Sequence, residues 1–137
     1  MLAPRDGSPR EQKEATAVPI TNVDHLFREG EEFLKKGQLP EAEQKFLEIK
    51  LQNPRYPKID NRLGIIYMEK GEYGRAIEAF ERAVREDPTK AARHANLGVA
   101  YAQMKKYSLS RQSLKRAIEL APANERYKLL LEEIEKD

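Results

Sequence analysis

The side chains that could do chemistry are few. The 137 residues hold no cysteine and two histidines, His25 and His94. A serine nucleophile needs a base within hydrogen-bond reach, itself held by a third group. The two histidines occupy near-equivalent places in copies of a repeat that lie two copies apart, so they would not converge on one nucleophile. His94 is therefore not read as a catalytic base. His25 and Glu29 are four residues apart and could share a helix face, but two ligands do not make a tight metal site. Glu31-Glu32 and Glu132-Glu133 read as surface charge. No glycine-rich phosphate loop follows a strand-like segment. The expectation is therefore no enzyme, no cofactor and no metal.

The elements that position these residues announce themselves through glycine. Gly30, Gly64 and Gly98 are spaced 34 residues apart, each inside a stretch that otherwise reads as helix: HLFREGEEFLKK, NRLGIIYMEK and HANLGVAYAQM. Glycine inside a helix costs about 1 kcal/mol relative to alanine. The same cost in one register three times requires close approach by another helix. Other residues keep the period. An aromatic lies three residues on (Phe33, Tyr67, Tyr101) and a small residue twelve on (Ala42, Ala76, Ser110). A large apolar residue lies sixteen on (Phe46, Phe80, Leu114), and Ile49, Ala83 or Ala117 nineteen on. A proline closes each copy (Pro54, Pro88, Pro122). A fixed period of this length marks a stack of helical hairpins, and such stacks present surfaces to other proteins.

Composition agrees. Lys+Arg 25 against Asp+Glu 23 gives a formal charge of +2, too balanced to demand nucleic acid or a membrane surface. Without cysteine there is no disulfide framework and no thiolate metal site. No apolar run approaches the ~20 residues of a membrane span, and the first residues lack the apolar core of a secretory signal. A cytoplasmic location with no membrane partner is the default. Residues 1–21, with Pro4, Gly7, Ser8, Pro9 and Pro19 among mixed charges, read as a flexible arm. Thr21 and Asn22 are capping types, so the first helix is expected near 22, with helices over about 22–36, 40–52, 57–70, 74–86, 90–104 and 108–120. Gly37 and Gly71 suit left-handed stops, and Pro40 suits a first turn. Beyond Pro122, Asn124 reads as a cap, and Tyr127, Leu130, Leu131 and Ile134 form one apolar face, as a final helix closing a stack requires.

The run Leu63 to Pro88, LGIIY…GEYGRAIEAFERAVREDP, resembles a tetratricopeptide repeat: Leu-Gly and Tyr in the first helix, Ala, Phe and Ala in the second, then Pro. LGVAY…LKRAIELAP follows it closely. EGEEF…EAEQKFLEIKLQNP departs, with Glu29 where leucine is usual and Ile49 where alanine is usual. The slot near each repeat's start, where the family has a tryptophan, holds Leu26, Asp60 and His94. The resemblance implies an all-α, right-handed α-solenoid of about seven helices over residues 22–137, with repeats at 23–56, 57–90 and 91–124 and a capping helix at 125–137.

It also implies a function. In tetratricopeptide proteins the first helix of each hairpin lines a concave groove that takes an extended peptide or a helix. By helix face, that groove is lined here by Asp24, Phe27, Arg28, Glu31 and Leu34, then Lys58, Asn61, Arg62, Ile65, Met68 and Glu69. The third repeat adds Ala92, Ala95, Asn96, Val99, Ala102 and Gln103. Phe27, Ile65, Met68 and Val99 would form an apolar floor, Asn61, Arg62 and Asn96 would supply donors, and Lys58 would stand at the rim. The expected role is a protein-interaction scaffold, adaptor or chaperone-like, for a protein or peptide partner. The family's carboxylate clamp for heat-shock chaperone tails uses Lys and Asn, then Asn, then Lys and Arg. The matching places hold Phe27 and Glu31, Arg62, then Ala92 and Asn96, so a peptide ending Glu-Glu-Val-Asp is not expected to bind. The alternatives are a self-associating module, forming a homo-oligomer through stack ends or the arm, and an RNA-binding helical repeat. The latter is disfavoured because basic and acidic residues alternate.

Overall fold

The computed structural model describes residues 20–136, with side chains from Val23 onward. These form seven helices and no strand: α1 Ile20–Lys35, α2 Leu39–Gln52, α3 Ile59–Glu69, α4 Tyr73–Glu86, α5 Ala91–Gln103, α6 Tyr107–Leu120 and α7 Glu125–Glu135. This is an all-α helical repeat fold. The arm expected over residues 1–21 lies, as far as residue 19, outside the described residues. One boundary needs correcting. α1 starts at Ile20, so Thr21 and Asn22 fall within its first turn instead of capping it.

The chain divides into two compact units, one ending at Arg55 and the other beginning at Tyr56. The first is the hairpin of α1 on α2. Its buried residues include Val23, Ala42, Phe46 and Ile49, and Phe27 stacks obliquely on Phe46 with ring centroids 5.6 Å apart. A β-carbon on Gly30 would stand 2.8 Å from the Phe46 ring. The absent side chain is what admits the ring, so the glycine and the large apolar residue sixteen positions on form one packing device.

The second unit repeats the device twice. A β-carbon on Gly64 would meet Phe80 at 2.5 Å, and one on Gly98 would meet Leu114 at 2.9 Å and the Ser110 carbonyl at 3.2 Å. Helix α4 packs on both α3 and α5, and α6 on both α5 and α7, while α3, α5 and α7 touch in succession as one layer. The small residues twelve positions after each glycine are fully buried, and Ser110 satisfies its hydroxyl by donating to the Gly98 carbonyl at 2.7 Å. Tyr127 and Ile134 of α7 close the last core together with Ala95, Leu114 and Ala117. Asn124 caps α7, accepting from the Tyr127 N–H at 3.3 Å.

The turns inside the three hairpins share one geometry. Gly37 (φ +76°), Gly71 (φ +79°) and Lys105 (φ +61°) are left-handed and spaced one period apart. At each, the N–H of the left-handed residue bonds three residues back, and the next N–H bonds five back to Phe33, Tyr67 or Tyr101. This double bond pattern satisfies the last carbonyls of the helix. Pro40 sits in the first turn of α2, and Pro54, Pro88 and Pro122 fall just beyond α2, α4 and α6. Arg93 was not singled out by the sequence. It is buried and donates from Nη1 to the Ala83 carbonyl (2.7 Å) and to Glu86 Oε1 (3.0 Å), tying the end of α4 to the start of α5.

Candidate functional site: a cleft on the α3–α5–α7 layer

Side chains at successive turns of α3 (Ile65, Met68, Glu69) and α5 (Asn96, Val99) face a common cleft of about 170 Å³. Phe80 of α4 closes its base and Arg126 of α7 stands at its edge. Ile65, Met68 and Val99 are half-buried, so each keeps apolar surface open to a ligand. Beside them the Asn96 amide nitrogen donates to the Asn61 side-chain oxygen at 3.1 Å. An asparagine carries two N–H donors and one carbonyl. The pair therefore keeps the Asn61 amide nitrogen and the Asn96 oxygen, one donor group and one acceptor, for a third partner. A peptide backbone carries the complementary acceptor and donor.

Of the groove residues expected from sequence, Asn61, Ile65, Met68, Asn96 and Val99 come together in this way. Arg62 is half-buried on α3, and Lys58 is exposed at the N-terminal end of α3 with a left-handed backbone (φ +78°). In the first unit, Phe27 is half-buried against Phe46, Arg28 is exposed and Glu31 is half-buried. Ala95 is a correction. It is 2% exposed within the cluster of Leu114, Ala117, Tyr127 and Ile134, so no partner can reach it. Ala102 packs partly buried against the same cluster. The cause is that α5 is gripped by α4, α6 and α7, which leaves it a narrower open face than its sequence pattern suggests.

Arg126 and Phe80 were missed. A signal for Arg126 existed: Lys58, Ala92 and Arg126 stand one period apart, so the final helix continues the groove register while it seals the core. The histidines behave as core and surface groups. His94 is 9% exposed, with its ring Nε2 2.8 Å from the Pro88 carbonyl, and Asp60 in the equivalent slot accepts from Arg82 Nε at 3.0 Å. His25 pairs with Glu29 at 3.2 Å, and Lys45 reaches the same carboxylate at 3.1 Å. The hydrogen bond from Lys45, helped by the Lys45 and His25 charges, holds the Glu29 carboxyl below its ordinary range. Among the described residues no three His, Asp or Glu side chains group closely enough to hold a metal ion. No helix there is long and apolar enough to cross a membrane.

The chain belongs to the tetratricopeptide repeat family: two models of that repeat match residues 27–91 and 67–134. Solved structures agree on the fold. The first such domain of Spaghetti (RPAP3), bound to the HSP90 peptide SRMEEVD, superposes with a TM-score of 0.82 at 19% identity, covering 87% of this chain and 94% of that one. The Sgt2 domain from Aspergillus fumigatus gives 0.78 at 21% identity, covering 87% of this chain and 80% of its own. PcrH from Pseudomonas aeruginosa gives 0.80 at 15% identity, covering 86% and 95%. No protein of curated function matches the chain.

Proposed function

We propose that this chain is a non-catalytic protein-interaction scaffold whose α3–α5–α7 layer holds a peptide or helix of a partner protein. The observation that carries the reading is the Asn61–Asn96 pair beside an apolar cleft, because backbone recognition and a side-chain anchor then lie within one site. Membership of a family built for such contacts supports it, as does likeness to a domain solved with a bound peptide. The ligand would insert one apolar side chain against Ile65, Met68 and Val99. An acidic neighbour on the ligand would meet Arg126, and Glu69 on the opposite rim would disfavour an acid there.

The test is a pull-down from native extract with the wild-type chain, with Val99→Asp and with Asn96→Ala, helicity being checked by circular dichroism. Loss of the same partner with both variants at unchanged helicity supports the cleft. Undiminished recovery with both moves the binding surface elsewhere.

A further inference from the structure

A second concavity lies apart from the peptide cleft. Between the start of α5 and the middle of α6, His94, Gln112, Ser113, Lys115, Arg116 and Glu119 line an open cleft of about 510 Å³. Two of these are polar groups sunk into the fold: His94 and Ser113 are each 9% exposed. Every buried side-chain oxygen among the described residues has a partner, so the Ser113 hydroxyl, which bonds to none of them, keeps its oxygen open to the cleft. Ser110, one turn earlier, is fully buried and donates to the Gly98 carbonyl. The Ser113 hydroxyl faces a cleft in which the remaining groups are mostly donors. The His94 Nε2–H is taken by the Pro88 carbonyl, which holds the ring in place. One Arg116 N–H is taken by Glu119 at 3.0 Å, which orients the guanidinium and leaves the rest of its fork unused. Lys115 and Gln112 complete a donor-rich, net positive wall.

We propose that this cleft binds a phosphate group. A phosphate dianion offers several acceptor oxygens to a hydroxyl, an ammonium, a guanidinium and an amide at once, and Arg recognises it through paired N–H bonds. The single carboxylate present, Glu119, is already committed to Arg116, so it steers that side chain at a modest cost in repulsion. The inference is independent of the peptide cleft and uses none of its residues.

The experiment is an NMR titration of the full chain with inorganic phosphate, O-phosphoserine and glycerol 3-phosphate in parallel, with sodium chloride at matched ionic strength as control. Saturable shifts centred on His94 and residues 112–116, absent with chloride, are expected. Lys115→Gln/Arg116→Gln should weaken binding about tenfold or more, and Ser113→Ala about threefold, as charge-assisted and neutral hydrogen bonds are lost. Tighter binding of phosphoserine assigns the source to a phosphorylated protein segment. Tighter binding of glycerol 3-phosphate assigns it to a small phosphate ester or headgroup, and equality assigns free phosphate. Non-saturating shifts in all three arms, shifts matched by chloride, or equal affinity in the double variant would overturn the proposal.

Discussion

The Phe80 ring occupies the space where a side chain on Gly64 would stand, at 2.5 Å from an ideal β-carbon. The relationship recurs between Gly30 and Phe46 and between Gly98 and Leu114, so each hairpin is locked by one absent and one oversized side chain. Gly64→Ala gains about 1 kcal/mol of helix propensity but overpacks the contact by about 1–3 kcal/mol, for an expected net loss of up to about 2 kcal/mol. Gly74, where a β-carbon would meet nothing within 4 Å, is the control. Gly74→Ala should be neutral or stabilising by a few tenths of a kcal/mol. Urea unfolding of both variants checks the pair, and equal midpoints would contradict the locking role.

Lys105 holds a left-handed turn that Gly37 and Gly71 make in the other two hairpins. A residue with a β-carbon pays about 1–2 kcal/mol for that conformation. Glycine avoids this but loses more chain entropy on folding, so Lys105→Gly should stabilise by about 0.5–1 kcal/mol. A rise in thermal midpoint is the readout, and Gly71→Lys should lower it by a similar amount.

Arg93 is the buried link between α4 and α5. Removing it leaves the Ala83 carbonyl with the Asp87 N–H alone (3.2 Å) and takes the partner from one oxygen of Glu86, a carboxylate that keeps part of its hydration at 34% side-chain exposure. Arg93→Met should therefore cost about 2 kcal/mol in chemical unfolding, towards the lower end for a buried charged pair. Arg93→Lys should recover part of this, because an ammonium keeps the charge and can donate to both acceptors, as Nη1 does, but sits on a flexible stem without the fixed plane of the guanidinium.

Tyr101 donates to Glu81 at 2.7 Å, and burial, followed by that carboxylate, pushes its phenol up to about 12. An unfolded tyrosine ionises near 10. The folded state therefore favours the neutral phenol, a contribution fully present below pH ~10 and lost as pH rises towards about 12. Absorbance titration should show a late-ionising phenol from Tyr101. Tyr101→Phe should remove that phase. Glu81→Gln should bring it down only in part, since burial is the larger cause.

The hairpins were legible because their packing is local and periodic. Gly64 and Phe80 lie sixteen residues apart in every copy of the device, and the turn signals at Gly37, Gly71 and Pro40 act within a few residues. The candidate cleft was half-legible. Helix periodicity placed Ile65, Met68, Asn96 and Val99 on one face, but it could not say how much of α5 its neighbours would cover, and so Ala95 was misplaced.

By itself the chain of residues determined the repeat length, the helix boundaries to within about two residues and the membership of the family, because these follow from spacing and backbone preference. Only the tertiary structure decided that Arg126 edges the cleft, that Asn61 and Asn96 bond to each other, that Arg93 is buried and that the Ser113 hydroxyl stays open to its own cleft. Those facts depend on which helix faces meet, and the side-chain neighbours there are set by packing and not by sequence pattern.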